Sequence, residues 1–377
     1  LTNQPVNNAV MINLLIDARL MFYRKAGISQ YTRHLAQVLA NLNEAALRLN
    51  ILLDRRDQDL AWIPKQANIL RALTPAHHRF ESITLPLELA LLQLRQPFQI
   101  LHSPDFITAR GRFKKIITVH DLYFMQHPEV MSADGARYYG RVGWSVAQAD
   151  AVIAVSEFTR RDIHRLLPST PSHKVYVVHE AAAAVVASDH LLGASTSLNL
   201  PFALFVGTAE PRKNLITLLK ALARLCEQAR LPQQFKLCIV GAQGWAGDTP
   251  QHMAQMLGVS DVIELVGEVD HARLHALYCQ AKMLLLPSHY EGFGLTALEA
   301  MTRGTPVICS NAGSLPEIVG DAALLHDPLD VTMLGEHILR LWHDTALHND
   351  YAQRGLQRAQ LFSWARAARE TLKIYTQ

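Results

Sequence analysis

The chain has 377 residues, more than one hydrophobic core usually holds and enough for two domains. Hydrophobic residues make up 49% of it, which excludes a disordered chain. Its 36 basic and 33 acidic residues leave a formal charge of +3, without the dense basic footprint of a nucleic-acid binder.

The opening LTNQPVNNAV has no basic stretch before an apolar run, and no apolar span approaches the length of a membrane helix. The expected location is the cytoplasm, with any membrane contact peripheral and at its inner face. A first buried strand is predicted over Ile12 to Ala18, then a turn with Gly27, then a helix from about Ser29. This opens a nucleotide-binding-like α/β unit, although the three spaced glycines of a dinucleotide site are missing. Further strands are predicted at Asn50 to Leu53, Gln99 to His102, Ile116 to His120, Ala151 to Val155 and Lys174 to Val178. LPLELALLQL and the run from Ala136 to Gln148 read as helices between them. Short apolar strands alternating with helices imply a mostly parallel sheet covered on both faces.

Residues 181–200 are small, polar and irregular and read as a linker. The rhythm then restarts, with strands predicted at Phe202 to Gly207, Lys236 to Gly241, Val262 to Gly267, Lys282 to Pro287, Pro306 to Ser310 and Ala323 to Leu325. Helices are expected over LITLLKALARLCEQA, LTALEAMTRG, Thr332 to Trp342 and FSWARAARETLKIY. The four cysteines, Cys226, Cys238, Cys279 and Cys309, form no CxxC pair. Three lie in or beside apolar segments and read as core residues, with no disulfide or metal framework.

Ligands of open α/β sheets bind beyond the carboxyl ends of the strands, so polar residues just after apolar runs are the candidates. His120 ends a strand and is either a hydrogen-bond donor to substrate or a structural histidine. In GTAEPRKNL, Gly207 precedes Arg212 and Lys213, two cations beside a helix start that suit a diphosphate; the bland alternative is a solvated basic turn. In PSHYEGFGLTALEAM, Glu291 and Glu299 are separated by seven residues, with Gly292, Phe293, Gly294 and Leu295 between. Glu291 falls in the loop and Glu299 along the helix, a spacing that suits an elongated ligand. The first-turn amides near Gly294 and Leu295 suit phosphate oxygens. His77, His78, His271 and His275 read as surface residues, and no carboxylate and histidine set has metal-ligand spacing. Neither GxSxG nor GxxxxGK[ST] occurs.

Together the segments Gly207-x-x-x-x-Arg212-Lys213-Asn214 and Glu291-x-x-x-x-x-x-x-Glu299 resemble the signatures of the retaining two-domain glycosyltransferases of family 4, over nearly the whole chain. The resemblance implies a GT-B fold, two Rossmann-like doubly wound parallel-sheet domains facing across a cleft. The amino-terminal, acceptor-side domain would comprise 1–180 with 360–377 returning to it; the nucleotide-sugar-binding domain would span 201–359. It implies that Arg212 and Lys213 hold the donor diphosphate, that Glu291 contacts the transferred hexose and Glu299 the ribose. It further implies that His120 closes over the donor sugar, that Gly27 approaches phosphate and acceptor, and that Gly267 and Glu268 lie near the base. Neither metal nor cofactor is expected. The implied activity is retaining transfer of a hexose to a hydroxyl of a lipid-linked or growing glycan. VHDLYFMQHPE, IAVSEFTRRDI and GTAEPRKNL resemble bacterial mannosyltransferases of surface polysaccharide and lipopolysaccharide synthesis, which makes GDP-mannose the leading donor. UDP-glucose or another hexose donor, a sugar-nucleotide epimerase or hydrolase, and a non-catalytic scaffold in a glycan-assembly complex remain as alternatives. One departure is HEAAAAVVAS, where Glu180 is kept but the glycine usual after it is alanine. The basic run Arg110, Arg112, Lys114 and Lys115 suits an anionic membrane surface or a solvated loop.

Overall fold

The structure, a computed structural model, describes residues 11–23, 27–42, 47–131, 133–183, 201–242 and 249–377. The opening decapeptide and most of the expected linker lie outside them. The chain divides into two compact units, Leu1–Glu180 with Trp364–Gln377, and Ala181–Ser363.

The first unit is built on a seven-stranded parallel sheet: β1 Ile12–Asp17, β2 Leu47–Asp54, β3 Asn68–Ala72, β4 Ile100–Ser103, β5 Lys114–Val119, β6 Ala151–Ala154 and β7 Val175–Val177, in the order β3-β2-β1-β4-β5-β6-β7. Its helices are α1 Gly27–Asn41, α2 Glu81–Arg95, α3 Tyr123–Gln126, α4 Ala133–Tyr139, α5 Val142–Gln148 and α6 Glu157–Leu166. β4 and β6 are buried at every position; β6 is apolar throughout, whereas β4 buries His102 and Ser103 beside Ile100 and Leu101. Alternation along the strands separates the two faces. Leu15, Leu52 and Leu101 pack with Leu85 and Leu89 of α2, while Ile117, Val119, Val152 and Ala154 pack with Val142, Val146 and Ile163. His102 and Thr118 alternate with Leu101, Ile117 and Val119; they bond to each other, and Thr118 also meets α1, where the Tyr31 hydroxyl lies 3.1 Å from its Oγ1.

The second unit has a six-stranded parallel sheet: β8 Phe202–Val206, β9 Lys236–Val240, β10 Ile263–Gly267, β11 Met283–Leu286, β12 Val307–Ser310 and β13 Ala323–His326, in the order β10-β9-β8-β11-β12-β13. Its helices are α7 Leu215–Glu227, α8 Pro250–Met256, α9 His271–Gln280, α10 Leu295–Met301, α11 Leu315–Val319, α12 Val331–His343 and α13 Thr345–Ala359. One sheet face, through Phe205, Leu237, Leu285 and Ile308, packs on Leu218 and Leu222 of α7 and Leu334 and Ile338 of α12. Side-chain caps start several helices: Asp270, Asp330 and Asp344 accept the amides of Arg273, Met333 and Leu347.

The last helix, α14 Trp364–Thr376, belongs to the first unit. Trp364 stacks on His34 of α1 with ring centroids 5.2 Å apart. At its other end, the Tyr375 hydroxyl lies 2.6 Å from His102 Nδ1, and His102 Nε2 lies 2.9 Å from Thr118 Oγ1.

Several expectations are corrected. Only Cys238 and Cys309 are core cysteines; Cys226 and Cys279 are exposed. His275 is buried and accepts the Arg303 Nε–H on its Nδ1 at 2.9 Å. The run Arg110, Arg112, Lys114, Lys115 is not one basic patch. Lys114 and Lys115 are strand residues whose ammonium groups turn back into the protein, Lys114 Nζ to the Ile374 carbonyl at 2.7 Å and Lys115 Nζ toward Asp150 at 3.8 Å.

Burial first, and the neighbouring His120 charge second, push the His102 pKa down to about 3, so its ring is neutral and depends on hydroxyl partners. Tyr375→Phe removes one partner and leaves a buried nitrogen without a hydrogen bond. The unfolding free energy should fall by about 1–3 kcal/mol, read from urea denaturation. An unchanged midpoint would show that the α14 anchor contributes nothing.

Candidate active site

In each sheet the strand order reverses between two neighbouring strands, and this is where an open α/β sheet offers a crevice at its carboxyl edge. In the second unit the reversal lies between β8 and β11. The loop after β8 carries Gly207 to Asn214; the loop after β11 carries Pro287 to Gly294.

The two loops meet in one ion-pair cluster. Lys213 Nζ donates to Glu291 Oε1 at 2.7 Å, with both side chains buried. Arg212 Nη1 approaches Glu291 Oε2 at 3.5 Å, and its Nε donates to Glu210 at 2.8 Å. Ser288 Oγ adds a bond to Glu291 Oε1 at 2.7 Å. Burial alone would favour the neutral acid, but the charges of Lys213 and Arg212 and the bonds from Lys213 and Ser288 outweigh it. Glu291 is therefore held below the usual carboxylate range, as an anion.

The backbone explains why this cluster is rigid. Gly207 has φ +149°, and a Cβ there would lie 3.4 Å from Lys213 Cε, so the lysine stem lies along bare backbone. Asn214 is left-handed, with φ 55°, and its amide donates to the carbonyls of Pro287 and Pro328, tying the β8 loop to the ends of two other strands. Ser314 holds the Glu291 carbonyl through its amide and its hydroxyl. Gly313, with φ +63°, passes so close that a Cβ would lie 2.7 Å from the Glu291 nitrogen.

Glu299 sits within α10, away from the cation pair. Its Oε2 accepts from the Tyr278 hydroxyl at 2.9 Å, and burial, opposed by Tyr278, Arg303 and His271, raises its pKa. The two glutamates therefore do not share one point. Gly294, φ +96°, precedes the first turn of α10; Phe293 is buried, edge-on to Phe362 at 5.9 Å. Gly292 is buried and Leu295 half-buried beside them. Gly267 closes β10 and accepts from Gly241 with its carbonyl; it and Glu268 are exposed.

In the first unit, His120 follows β5 directly. Its Nε2 is 2.8 Å from the Pro104 carbonyl and its Nδ1 2.7 Å from Glu180 Oε1. A carbonyl only accepts, so Nε2 carries a proton. Burial opposes charge on the ring, but Glu180, the Pro104 bond and Asp105 outweigh it and raise its pKa. The ring is clamped between two oxygen atoms that favour its protonated form, with the Tyr31 ring edge-on at 5.0 Å. Donation from this ring to a sugar, as the sequence suggests, would give up one of these two bonds. Gly27, expected in the first loop, is instead the first residue of α1, and no described atom would crowd a Cβ there.

Sequence reading missed Ser288, Gly313, Ser314 and Glu210, and it noted Glu180 without its partner. Ser288 had a signal, a hydroxyl three residues before Glu291. Gly313 had one too, since it follows the carboxyl end of the strand beside β11. No group of three or more His, Cys, Asp or Glu among the described residues is placed to hold a metal ion.

Residues 26–181 match the family described as Glycosyltransferase Family 4, and 195–358 the family described as Glycosyl transferases group 1. The chain is 34% identical to the O-antigen chain mannosyltransferase B of Escherichia coli over 73% of this chain and 74% of that protein. It is 31% identical to an alpha-maltose-1-phosphate synthase of Mycobacterium tuberculosis over 78% and 82%. Among solved structures, a sucrose-phosphate synthase from Thermosynechococcus elongatus superposes with a TM-score of 0.75 at 22% identity, covering 97% of this chain and 98% of that one. The two parallel-sheet units are thus those of a GT-B glycosyltransferase. The chain belongs to the family 4 and group 1 superfamily of these enzymes.

Two outcomes follow from the geometry. Lys213→Met strands a buried carboxylate and should cost about 3–5 kcal/mol of unfolding free energy, whereas Arg212→Met, at the longer distance and more exposed, should cost much less; equal losses in urea titrations would refute the asymmetry. Glu180→Gln keeps an acceptor for His120 but removes its charge. A raised folded-state pKa stabilises fully below the ordinary imidazole value of about 6.5 and loses that effect as pH rises through the raised value. Wild type should exceed the variant in stability most on the acid side of neutrality, and the His120 midpoint in proton NMR should move down in the variant. An unmoved midpoint would mean that Glu180 does not hold the charge.

Proposed function

We infer that this glycosyltransferase moves a hexose from a nucleoside diphosphate to a hydroxyl of a lipid-linked or growing glycan, with retention at the anomeric carbon. The observation that carries the reading is the Lys213–Glu291–Arg212 cluster at the strand reversal of the second unit. Cations held in place before the donor arrives cost no reorganisation when charge develops on the leaving diphosphate. In this reading Arg212 and Lys213 take the diphosphate, Glu291 the hexose, and Glu299 the ribose, with Gly207 and the Gly292 to Leu295 turn allowing close approach. Gly267 and Glu268 border the base. His120 keeps its place as a candidate catalytic residue whose raised pKa disfavours a role as the base, so the acceptor proton leaves on the departing diphosphate, by same-face attack through an oxocarbenium-like transition state. Gly27 keeps its place as a candidate backbone contact at the start of α1.

The donor proposed is a nucleotide-hexose rather than GDP-mannose in particular. One relative is named a mannosyltransferase and the other a maltose-1-phosphate synthase, so the broader donor class, of which GDP-mannose and UDP-glucose are members, is the better supported. An epimerase or hydrolase on the same fold would need no acceptor.

Calorimetry against GDP-, UDP- and ADP-hexoses should show one clear preference, and transfer should persist in excess chelator. Arg212→Ala should lower kcat about 100-fold. Glu291→Gln should act mainly on kcat and Glu299→Gln mainly on donor KM, because ribose contacts are equal in ground and transition states. Turnover of donor at the same rate with and without any glycan acceptor would overturn transfer as the activity.

A further inference from the structure

Helix α2 has two apolar faces, and the first unit covers only one. Leu85 and Leu89 are buried against the sheet. On the other side Phe80, just before the helix, and Ile83, Leu87, Leu91 and Leu94 are 49%, 62%, 64%, 66% and 83% exposed. At about 100° per residue these five fall within about 80° of arc, one unbroken stripe opposite the buried face. From Ile83 to Leu94 the stripe runs about 16 Å. Single exposed apolar residues need no explanation, but a contiguous row of five does.

Charge tells what covers it. Arg79 and Arg95 are exposed at the two borders of the stripe, and the Arg79 guanidinium lies 4.7 Å from the Phe80 ring centroid. The acids of α2 are engaged elsewhere: Glu81 is buried on Arg19 and Arg141, and Glu88 accepts the amides of Leu73 and Thr74. An apolar ridge with only cations at its edges is the pattern of a helix lying in the headgroup region of an anionic bilayer. A second copy of the chain would bring the same arginines together. A peptide would need a groove, and one helix standing on a sheet presents a convex ridge.

We propose that α2 is a membrane-contact helix, seating the stripe of Phe80, Ile83, Leu87, Leu91 and Leu94 in the acyl boundary of an anionic lipid surface, with Arg79 and Arg95 on its headgroups. The contact is in-plane. No helix among the described residues is long and apolar enough to cross a membrane. The proposal stands apart from the transfer reading, and its test needs no turnover.

The full chain is sedimented with vesicles of phosphatidylcholine alone or mixed with phosphatidylglycerol. It should bind the anionic vesicles and much less the neutral ones. Leu87→Gln with Leu91→Gln should abolish binding while leaving the thermal midpoint unchanged, since neither side chain packs in the core. Arg79→Gln and Arg95→Gln should each weaken binding about fivefold, an effect that salt erases. Leu91→Trp should be quenched by brominated acyl chains. Absence of vesicle binding by wild type, or wild-type binding by the double leucine variant, would overturn the proposal. So would a lipid-free dimer in sedimentation velocity that the double variant converts to monomer, which would assign the stripe to a second copy.

Discussion

The second unit is organised around one contact, the 2.7 Å pair of Lys213 and Glu291. Neither charge is tolerable alone at that burial, so each requires the other, and the two come from loops after different strands. The pair therefore locks the β8 loop to the β11 loop at the point where the strand order reverses. The surrounding features serve that lock. Gly207 gives the lysine stem bare backbone, Asn214 ties its loop to Pro287 and Pro328, and Ser288, Ser314 and Gly313 leave the Glu291 peptide one position. In the proposed function, a site assembled this way presents its charges before the ligand arrives, which is the condition for electrostatic stabilisation of a leaving group.

The first unit applies the same chemistry to two histidines on adjacent strand ends and shifts their pKa values in opposite directions. His102 meets only hydroxyls, from Tyr375 and Thr118, and is neutral. His120 meets a carboxylate and a carbonyl, which raise its pKa. Positive charge on His120 lowers the His102 pKa further. One hydroxyl comes from the last helix of the chain, so α14 completes the polar interior of the amino-terminal sheet as well as packing on α1 through Trp364.

Strands buried on both faces were legible because short apolar runs bounded by turn residues mark them. β3 was not, since NILRA is an edge strand with only Ala72 buried. α13 was missed because TALHNDYAQRGLQRA buries only Gly355 and Ala359 and shows no apolar stripe. The charged site residues were legible as a spacing, Arg212 and Lys213 before a helix and Glu291 before another. Their pairing was not, because a contact between residues 78 positions apart is set by strand order rather than by sequence neighbours. The same holds for Glu180, which sequence marks only as the residue kept beside a departure and geometry joins to His120 across 60 positions.

Helix α2 shows the converse limit. LPLELALLQL is apolar on nearly every side, and such a helix reads as buried. Burial needs a medium on both faces, and the sheet of the first unit supplies only one. The periodicity identifies the helix correctly but cannot tell which neighbour covers each side. Once Leu85 and Leu89 are seen on the sheet, the remaining stripe is a large apolar area left to water by its own unit. Its composition, five large apolar side chains bordered by two arginines and no free acid of the helix, then describes the second medium: apolar, planar enough to meet a ridge, and negatively charged at its edge.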